Sequence, residues 1–194
     1  MKIGIDIDEV LADFLNSFIN YHNNTYFTKF SKKDFKTYEL SNTLGGKKTD
    51  EINKIYDFYN TVNFKNILPL EKSEYAVNKL SKDNSLRVIT SRPYKIHNET
   101  ISWLGKHFQD SFKEIHFTNE WVKENGVISK KDVCAKYDLD FLIEDSLDYA
   151  RNCKVKNTKI ILMDQPWNHK IKEDNELIRV NSWEEILNFF EKFK

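Results

Sequence analysis

The sequence predicts an α/β fold with three layers, in which helices cover both faces of a parallel sheet. From about residue 72 onward, short apolar runs rich in β-branched residues alternate with segments of helical periodicity. A further apolar run lies at the N-terminus (residues 2–7), and a helical pattern follows it. Because strand–helix–strand units make right-handed crossovers, we expect all strands to end at one edge of the sheet.

Each strand is predicted from a short apolar run that polar or turn-forming residues bound. Strands are predicted at residues 2–7, 86–90, 114–117, 141–143, 159–163 and 177–180. Each helix is predicted from apolar residues that recur on one face. Helices are predicted at 11–19, 50–61, 72–82, 101–108, after a capping-box pattern at Ser129 and Asp132, at 147–153 and at 183–190.

Residues from about 15 to 68 do not follow this alternation. The segment 24–49 is polar and loop-rich, and Pro69 interrupts the chain after the helix at 50–61. We therefore predict a core made of residues 1–14 and 69–194. Residues 15–68 are predicted to form a small helical cap over the carboxyl ends of the strands.

Composition and charge exclude several classes of protein. The 194 residues suit one domain with a modest insertion, and 30 basic residues balance 30 acidic ones. A neutral chain is not expected to coat nucleic acid or an anionic membrane. No apolar run approaches the roughly 20 residues of a membrane span, and no signal-peptide pattern is present. Cys134 and Cys153 have no metal-ligand spacing, so we expect reduced thiols and a cytoplasmic protein.

Two aspartates, Asp6 and Asp8, lie at the end of the first predicted strand. Ligands of open α/β sheets bind at the carboxyl ends of strands, and paired carboxylates there favour a hard cation such as Mg²⁺. We interpret Asp6 as a nucleophile that forms an aspartyl-phosphate. Asp8 is interpreted as the general acid and base. The alternative is that these residues cap the next helix.

The second strand ends in Thr90, which Ser91 and Arg92 follow. The hydroxyl and backbone N–H groups of Thr90 and Ser91 are candidates to hold phosphoryl oxygens, and Arg92 either contacts the phosphate or is solvated. A cation from Lys130 or Lys131, at the start of a helix, would offset the charge of the transition state.

The strand at 141–143 ends in Glu144 and Asp145. We assign Asp145 to the metal and Glu144 to a supporting or water-mediated role. Asp148 is a weaker candidate, because an acid at a helix N-terminus also stabilises the helix dipole.

In this order, the pattern Asp-x-Asp-x-Val, a strand ending in Thr, a helix-opening Lys and an acidic pair resembles the haloacid dehalogenase (HAD) phosphohydrolase superfamily. Nearly the whole chain resembles the cytosolic type C 5′(3′)-deoxyribonucleotidases and related bacterial nucleotidases. The stretches that match are residues 6–14, 88–93, 103–108, 141–146, 164–168 and 179–186. The resemblance implies a Rossmann-like core, a small helical cap, Mg²⁺ and hydrolysis of nucleoside monophosphates.

Carried over by position, Asp6 is the nucleophile and Asp8 the acid/base. Thr90 and Lys130 hold the phosphoryl group, and Lys130 is preferred to Lys131 because Cys134 then occupies the small buried position of the helix-start pattern. The resemblance implies that Mg²⁺ is bound by the Asp6 carboxylate, the Asp8 backbone carbonyl and the Asp145 carboxylate.

Phe14 and Tyr59 fall where this family uses aromatic residues around the base. The chain departs from the pattern at Glu9, where glycine is common, and at Glu71-Lys72, where a Pro-Gly pair is common. Two alternatives stay open. The protein is a HAD phosphatase that acts on another small phosphate ester or on a nucleic-acid end, or it is a non-catalytic binding protein that kept the fold. A monomer or a homodimer is expected.

Overall fold

The structure is a computed structural model that describes residues 1–118, 128–146, 148, 158–169 and 177–193. Within these residues, six strands form one sheet. The strands are β1 (Lys2–Ile5), β2 (Ser85–Thr90), β3 (Glu114–Phe117), β4 (Phe141–Glu144), β5 (Lys159–Met163) and β6 (Leu177–Val180). Every pairing between them is parallel, and their order is β3-β2-β1-β4-β5-β6. The predicted α/β class is therefore confirmed, as are all six predicted strands.

The helices alternate with these strands after residue 72. They are α1 (Phe14–Tyr26), α2 (Ser41–Leu44), α3 (Lys48–Tyr59), α4 (Val62–Lys65), α5 (Ser73–Ser81), α6 (His97–Phe108), α7 (Lys130–Tyr137) and α8 (Trp183–Glu191). Short 3₁₀ turns lie at Lys32–Asp34 and Tyr94–Ile96. The helix that we predict at 147–153 lies outside the described residues apart from Asp148, and so does Cys153.

Two apolar layers sandwich the sheet, because successive side chains of a strand point to opposite faces. In β4, Ile143 packs into the larger core, while Leu142 packs into a smaller cluster with Val133 and Cys134 of α7. The larger core also contains Trp183 of α8. The sheet is thus buried on both faces, as parallel sheets are.

The first strand is shorter than predicted, and the first helix begins later. β1 ends at Ile5 rather than at residue 7, and α1 begins at Phe14. The reason is a tight turn in which the Ile7 carbonyl accepts hydrogen bonds from the backbone N–H groups of Leu11 and Ala12, both 2.8 Å long. The apolar Leu11, which we expect in the helix, is a buried residue of this turn.

The segment that leaves β1 and the segment that returns toward the sheet lie side by side and are hydrogen-bonded to each other. The Asp13 N–H donates to the Leu68 carbonyl at 3.0 Å, and the Leu70 N–H donates to the Leu11 carbonyl at 2.7 Å. Helices α1 to α4 lie in the sequence between these two hydrogen-bonded segments. Their apolar residues, among them Phe18 and Phe58, belong to the same buried cluster as β1.

Lys72, which precedes α5, adopts a left-handed backbone conformation with φ 63°. This conformation costs a residue with a Cβ about 1–2 kcal/mol, whereas glycine adopts it freely. We therefore expect Lys72→Gly to be more stable than Lys72→Ala by about 1 kcal/mol, as urea unfolding will measure.

Lys79 of α5 is a control, because each of the two lysines pairs with a glutamate of α8 and keeps more than a third of its side chain exposed, 50% at Lys72 and 37% at Lys79. At this ordinary helical position Lys79→Gly should be less stable than Lys79→Ala by about 0.5–1 kcal/mol. If the glycine variant were the more stable at both positions, or the less stable at both, the left-handed conformation of Lys72 would not explain the result.

Candidate active site

The carboxyl ends of three neighbouring strands bring the predicted acids together. Asp6 directly follows β1, Thr90 closes β2, and Glu144 closes β4 with Asp145 next in sequence. Because β1 lies between β2 and β4, these ends are adjacent at one edge of the sheet. The Asp6 N–H still donates to the Ile143 carbonyl at 3.0 Å, so the nucleophile candidate is anchored to β4.

The turn after β1 separates the environments of the two aspartates. Two residues of a continuous strand would point their side chains to the same side, but the strand ends at Ile5, so a turn sets the position of Asp8. The turn contains Glu9 with φ 61°, in the left-handed region. Asp6 is buried, whereas the Asp8 side chain is about one-quarter exposed at 25%.

Glu9 connects this turn to the segment before α2. One carboxylate oxygen accepts the Leu15 N–H at 2.6 Å, and the other pairs with Lys32. Burial raises the pKa of the Glu9 carboxyl, and Lys32 opposes the rise. Sequence reasoning assigns no role to either residue. The signal available to it is the acidic residue at a position where glycine is common.

Lys130 forms a buried triad with two carboxylates. Its Nζ lies 2.9 Å from Asp6 Oδ1 and 2.7 Å from Glu144 Oε2. Ser129 caps α7, with its hydroxyl accepting the Asp132 N–H at 3.1 Å, which fixes Lys130 as the first helical residue. Burial alone would lower the pKa of Lys130, but Asp6 and Glu144 raise it well above its usual value. Lys131 is exposed, so the structure brings Lys130 and not Lys131 to Asp6.

The acids Asp6, Glu144 and Asp145 place ligand oxygens within 4.8 Å of one another. Burial raises the pKa of Asp6 to about 7, although Lys130 opposes the rise. Burial also raises the pKa of Asp145 well above its usual value, with Glu144 and Asp6 adding to the rise. When all three acids are ionised, they carry more negative charge than the single ammonium of Lys130 offsets. Such an all-oxygen set suits a hard divalent cation.

A turn after β5 holds Asp145. Trp167 Nε1 donates to Asp145 Oδ2 at 3.0 Å, and the Asn168 amide donates to the Asp145 carbonyl at 2.9 Å. Arg179 in turn donates to Asn168 Oδ1 at 2.6 Å. Sequence reasoning includes this turn among the matching stretches and assigns it no role, because the contact is visible only once β4 and β5 are side by side.

Thr90 and Ser91 lie at the same edge and are buried. Thr90 Oγ1 accepts the Arg92 N–H at 3.2 Å, and Ser91 Oγ lies 3.5 Å from Thr118 Oγ1. Both line the cavity described below. Their position suits the predicted role of holding phosphoryl oxygens.

Arg92 contacts Asp8. Its Nη2 donates to Asp8 Oδ1 at 2.6 Å, and its Nε lies 3.1 Å from Oδ2. Between the two sequence alternatives, a phosphate ligand or a solvated side chain, the solvated side chain is wrong, because Arg92 is buried.

A cavity of about 530 Å³ opens between this edge, helices α1 and α3, and the segment before α2. Its floor contains Asp6, Asp8, Thr90, Ser91, Lys130 and Asp145, and its wall from residues 14–55 contains Phe14, Leu15, Thr37, Tyr38, Glu39, Leu40, Lys48, Glu51, Ile52 and Ile55. The volume is in the range of small-molecule sites. Sequence reasoning does not find the part of the wall at residues 37–40, because residues 24–49 carry little periodicity.

The two aromatic candidates lie in different places. Phe14 lines the cavity. Tyr59 is not among the lining residues; it is buried, and its ring packs against Phe64 at 4.9 Å between centroids. Burial raises the pKa of the Tyr59 phenol well above its usual value, and Asp8 adds to the rise.

Comparison with known proteins decides the family. The model of the family described as "5′ nucleotidase, deoxy (Pyrimidine), cytosolic type C protein" matches residues 1–193. The chain belongs to this family. A 5′(3′)-deoxyribonucleotidase of Bacillus subtilis is 29% identical over 185 residues, covering 95% of each chain. A nucleotidase of Clostridium acetobutylicum is 26% identical over 186 residues, covering 96% of this chain and 91% of the relative.

The fold of this type C nucleotidase family member is that of the HAD hydrolases. A haloacid dehalogenase-like hydrolase from Streptococcus pneumoniae superimposes with a TM-score of 0.67 at 12% identity, covering 97% of both chains. The membership identifies the chain as a phosphomonoester hydrolase of the nucleotidase type. Among the described residues, no helix is both long and apolar enough to cross a bilayer.

Both departures from the family's glycines occupy left-handed backbone positions. Glu9 has φ 61° and Lys72 has φ 63°. Glycine is favoured in that region because it lacks a Cβ. At Glu9 the bond to Leu15 N and the pair with Lys32 offset the backbone cost.

Asp6 should make the folded protein less stable as pH rises from about 4 to about 7. In this window the Asp6 carboxyl, with its pKa raised to about 7, holds a proton in the folded state and releases it in the unfolded state. The unfolded state therefore binds fewer protons, so raising the pH favours unfolding until Asp6 is ionised in both states.

Urea unfolding in EDTA at several pH values measures this slope. Asp6→Asn should reduce the slope and raise the stability at the alkaline end, whereas Glu99→Gln, at an exposed site on α6, should leave the slope unchanged. If stability depended on pH equally in Asp6→Asn and in the unmodified protein, Asp6 would not have a raised pKa in the folded state.

Proposed function

We propose that the chain is a Mg²⁺-dependent phosphomonoesterase that dephosphorylates nucleoside monophosphates through an aspartyl-phosphate on Asp6. The observation that carries the proposal is the buried Asp6 carboxylate, 2.9 Å from Lys130, at the floor of the cavity. The name of the Bacillus subtilis relative, a 5′(3′)-deoxyribonucleotidase, supports a nucleotide substrate.

The donor set at the floor fits Mg²⁺. The Asp6 and Asp145 carboxylates, together with the Asp8 backbone carbonyl, would hold the ion, which prefers oxygen ligands. When bound, it would neutralise charge on the phosphoryl oxygens. Glu144 would act indirectly: one of its oxygens pairs with Lys130, and the other accepts the N–H groups of Asp145 and Ser146.

In the first half of the reaction, an Asp6 carboxylate oxygen attacks phosphorus. The bond between phosphorus and the ester oxygen breaks as the bond to Asp6 forms. The Asp8 carboxyl gives its proton to the ester oxygen, and the nucleoside leaves as a neutral alcohol. Lys130 offsets negative charge beside Asp6, and the Thr90 hydroxyl and Ser91 N–H hold phosphoryl oxygens.

In the second half, water completes the hydrolysis. The Asp8 carboxylate takes a proton from the water molecule as its oxygen attacks phosphorus. The bond between phosphorus and Asp6 breaks and returns the carboxylate. Inorganic phosphate leaves, and Asp8 is protonated again for the next cycle, so one water molecule is consumed for each ester.

Residues 15–68 act in this proposal as a cap that recognises the nucleoside. The paired chain crossing at Asp13–Leu68 and Leu11–Leu70 supports the boundaries with the core, 1–14 and 69–194. Phe14 in the cavity wall offers its ring to a base, and stacking of this kind tolerates any base. The proposed site of action is the cytoplasm, since a reducing compartment suits the free thiol of Cys134.

A substrate panel tests the proposal. With Mg²⁺ present, the protein should release phosphate fastest from deoxynucleoside or ribonucleoside monophosphates, and more slowly from sugar phosphates and a phosphorylated oligonucleotide. EDTA should stop the release, and Mg²⁺ should restore it. Asp6→Asn should lower turnover by at least roughly 10³-fold, because the covalent step needs an ionised carboxylate.

Two lysine variants give a matched control for that panel. Lys130→Met removes the ammonium beside Asp6 and should reduce turnover by about 10²-fold or more. Lys131→Met, at the adjacent exposed position, should retain turnover. Faster release of phosphate from a sugar phosphate or from an oligonucleotide end would show that a nucleoside monophosphate is not the preferred substrate. Full activity of Asp6→Asn would refute the aspartyl-phosphate route.

A further inference from the structure

Arg92 is buried beside the Asp8 side chain. The arginine is 2% exposed, while the aspartate side chain is 25% exposed. Arg92 Nε lies 3.2 Å from Asp8 Oδ1 and 3.1 Å from Oδ2, and Nη2 lies 2.6 Å from Oδ1. The guanidinium therefore binds the carboxylate with two of its nitrogens, and both residues border the cavity.

The other contacts of Arg92 restrict its movement. Nη1 donates to the Thr100 hydroxyl at 3.3 Å, and that hydroxyl donates to the Ile96 carbonyl at 2.8 Å. The guanidinium carbon lies 5.3 Å from the ring centre of Phe64 and 5.8 Å from that of Trp103. Because a planar fork held between these groups fixes the plane of its carboxylate partner, lysine would not be an equivalent replacement.

We propose that Arg92 is a positioning residue that holds the Asp8 carboxyl group in the orientation for proton transfer. The inference rests on the proposed function, in which Asp8 protonates the leaving oxygen. Arg92 is fixed by α6 and the segment after β2, whereas Asp8 lies in the turn after β1. The contact therefore ties a turn residue to a buried side chain that α6 holds, and Asp8, with a side chain that is one-quarter exposed, still lines the cavity.

A comparison of leaving groups separates this role from phosphate binding. The value of kcat/KM covers the steps up to release of the alcohol, so it reports the transfer of a proton from Asp8. The nucleoside of deoxythymidine 5′-monophosphate is a poor leaving group that needs this proton. The phenolate of p-nitrophenyl phosphate is a good leaving group that needs it much less.

Arg92→Met should lower kcat/KM for the nucleotide by roughly 10–100-fold, and for the aryl phosphate by a much smaller factor. Arg92→Lys should show the same selective loss, because the ammonium lacks the fork. Asp8→Asn should be selective in the same way, and adding Arg92→Met to it should cause little further loss. Inhibition by inorganic phosphate should be unchanged in Arg92→Met.

Thr100→Val provides a second variant that touches neither acid. It removes the hydroxyl at Nη1, and a smaller loss, roughly 2–10-fold, confined to the nucleotide is expected. Equal losses on both esters, or weaker inhibition by phosphate, would overturn the positioning role in favour of a structural or phosphate-binding one. If the unmodified protein hydrolyses neither ester, the proposed function fails. If Asp8→Asn is selective and Arg92→Met is not, only the Arg92 inference fails.

Discussion

One ammonium group, that of Lys130, lies between the buried carboxylates of Asp6 and Glu144, and the arrangement of the carboxyl edge depends on it. A charge removed from water must be paired, and losing one partner of such a group leaves an uncompensated buried charge. The capping box at Ser129 fixes where α7 begins and so places Lys130 against the ends of β1 and β4. Helix capping, strand order and site chemistry are therefore linked through one side chain.

The remaining negative charge at this edge accounts for the support around Asp145. Its carboxylate and carbonyl accept hydrogen bonds from Trp167 and Asn168, so its orientation is set by a turn after β5. On the other side of the floor, Arg92 holds Asp8. Each proposed reacting or metal-binding acid thus has its own neutralising or orienting partner. A group held in this way loses little orientational freedom when substrate binds.

Residues at strand ends could be predicted from sequence because an apolar run and the polar residue after it are local signals. Asp6, Thr90, Glu144 and Asp145 were identifiable for this reason. The orienting contacts could not be predicted: Arg92 and Asp8 are 84 positions apart, and Trp167 and Asp145 are 22 apart, so only the packed sheet brings them together. The part of the cavity wall at residues 37–40 was missed because the polar segment 24–49 has little periodicity, whereas the helix that carries Ile52 and Ile55 was predicted.

The central claim, that Asp6 is the nucleophile, is tested most directly by trapping the phosphoenzyme. The protein is mixed with a nucleoside monophosphate and Mg²⁺, quenched in acid, reduced with borohydride and sequenced by tandem mass spectrometry. Borohydride converts an aspartyl-phosphate to homoserine, so homoserine at position 6 with unchanged Asp8 is the predicted result. Homoserine at position 8, or no homoserine in a protein that is turning over substrate, would contradict the account.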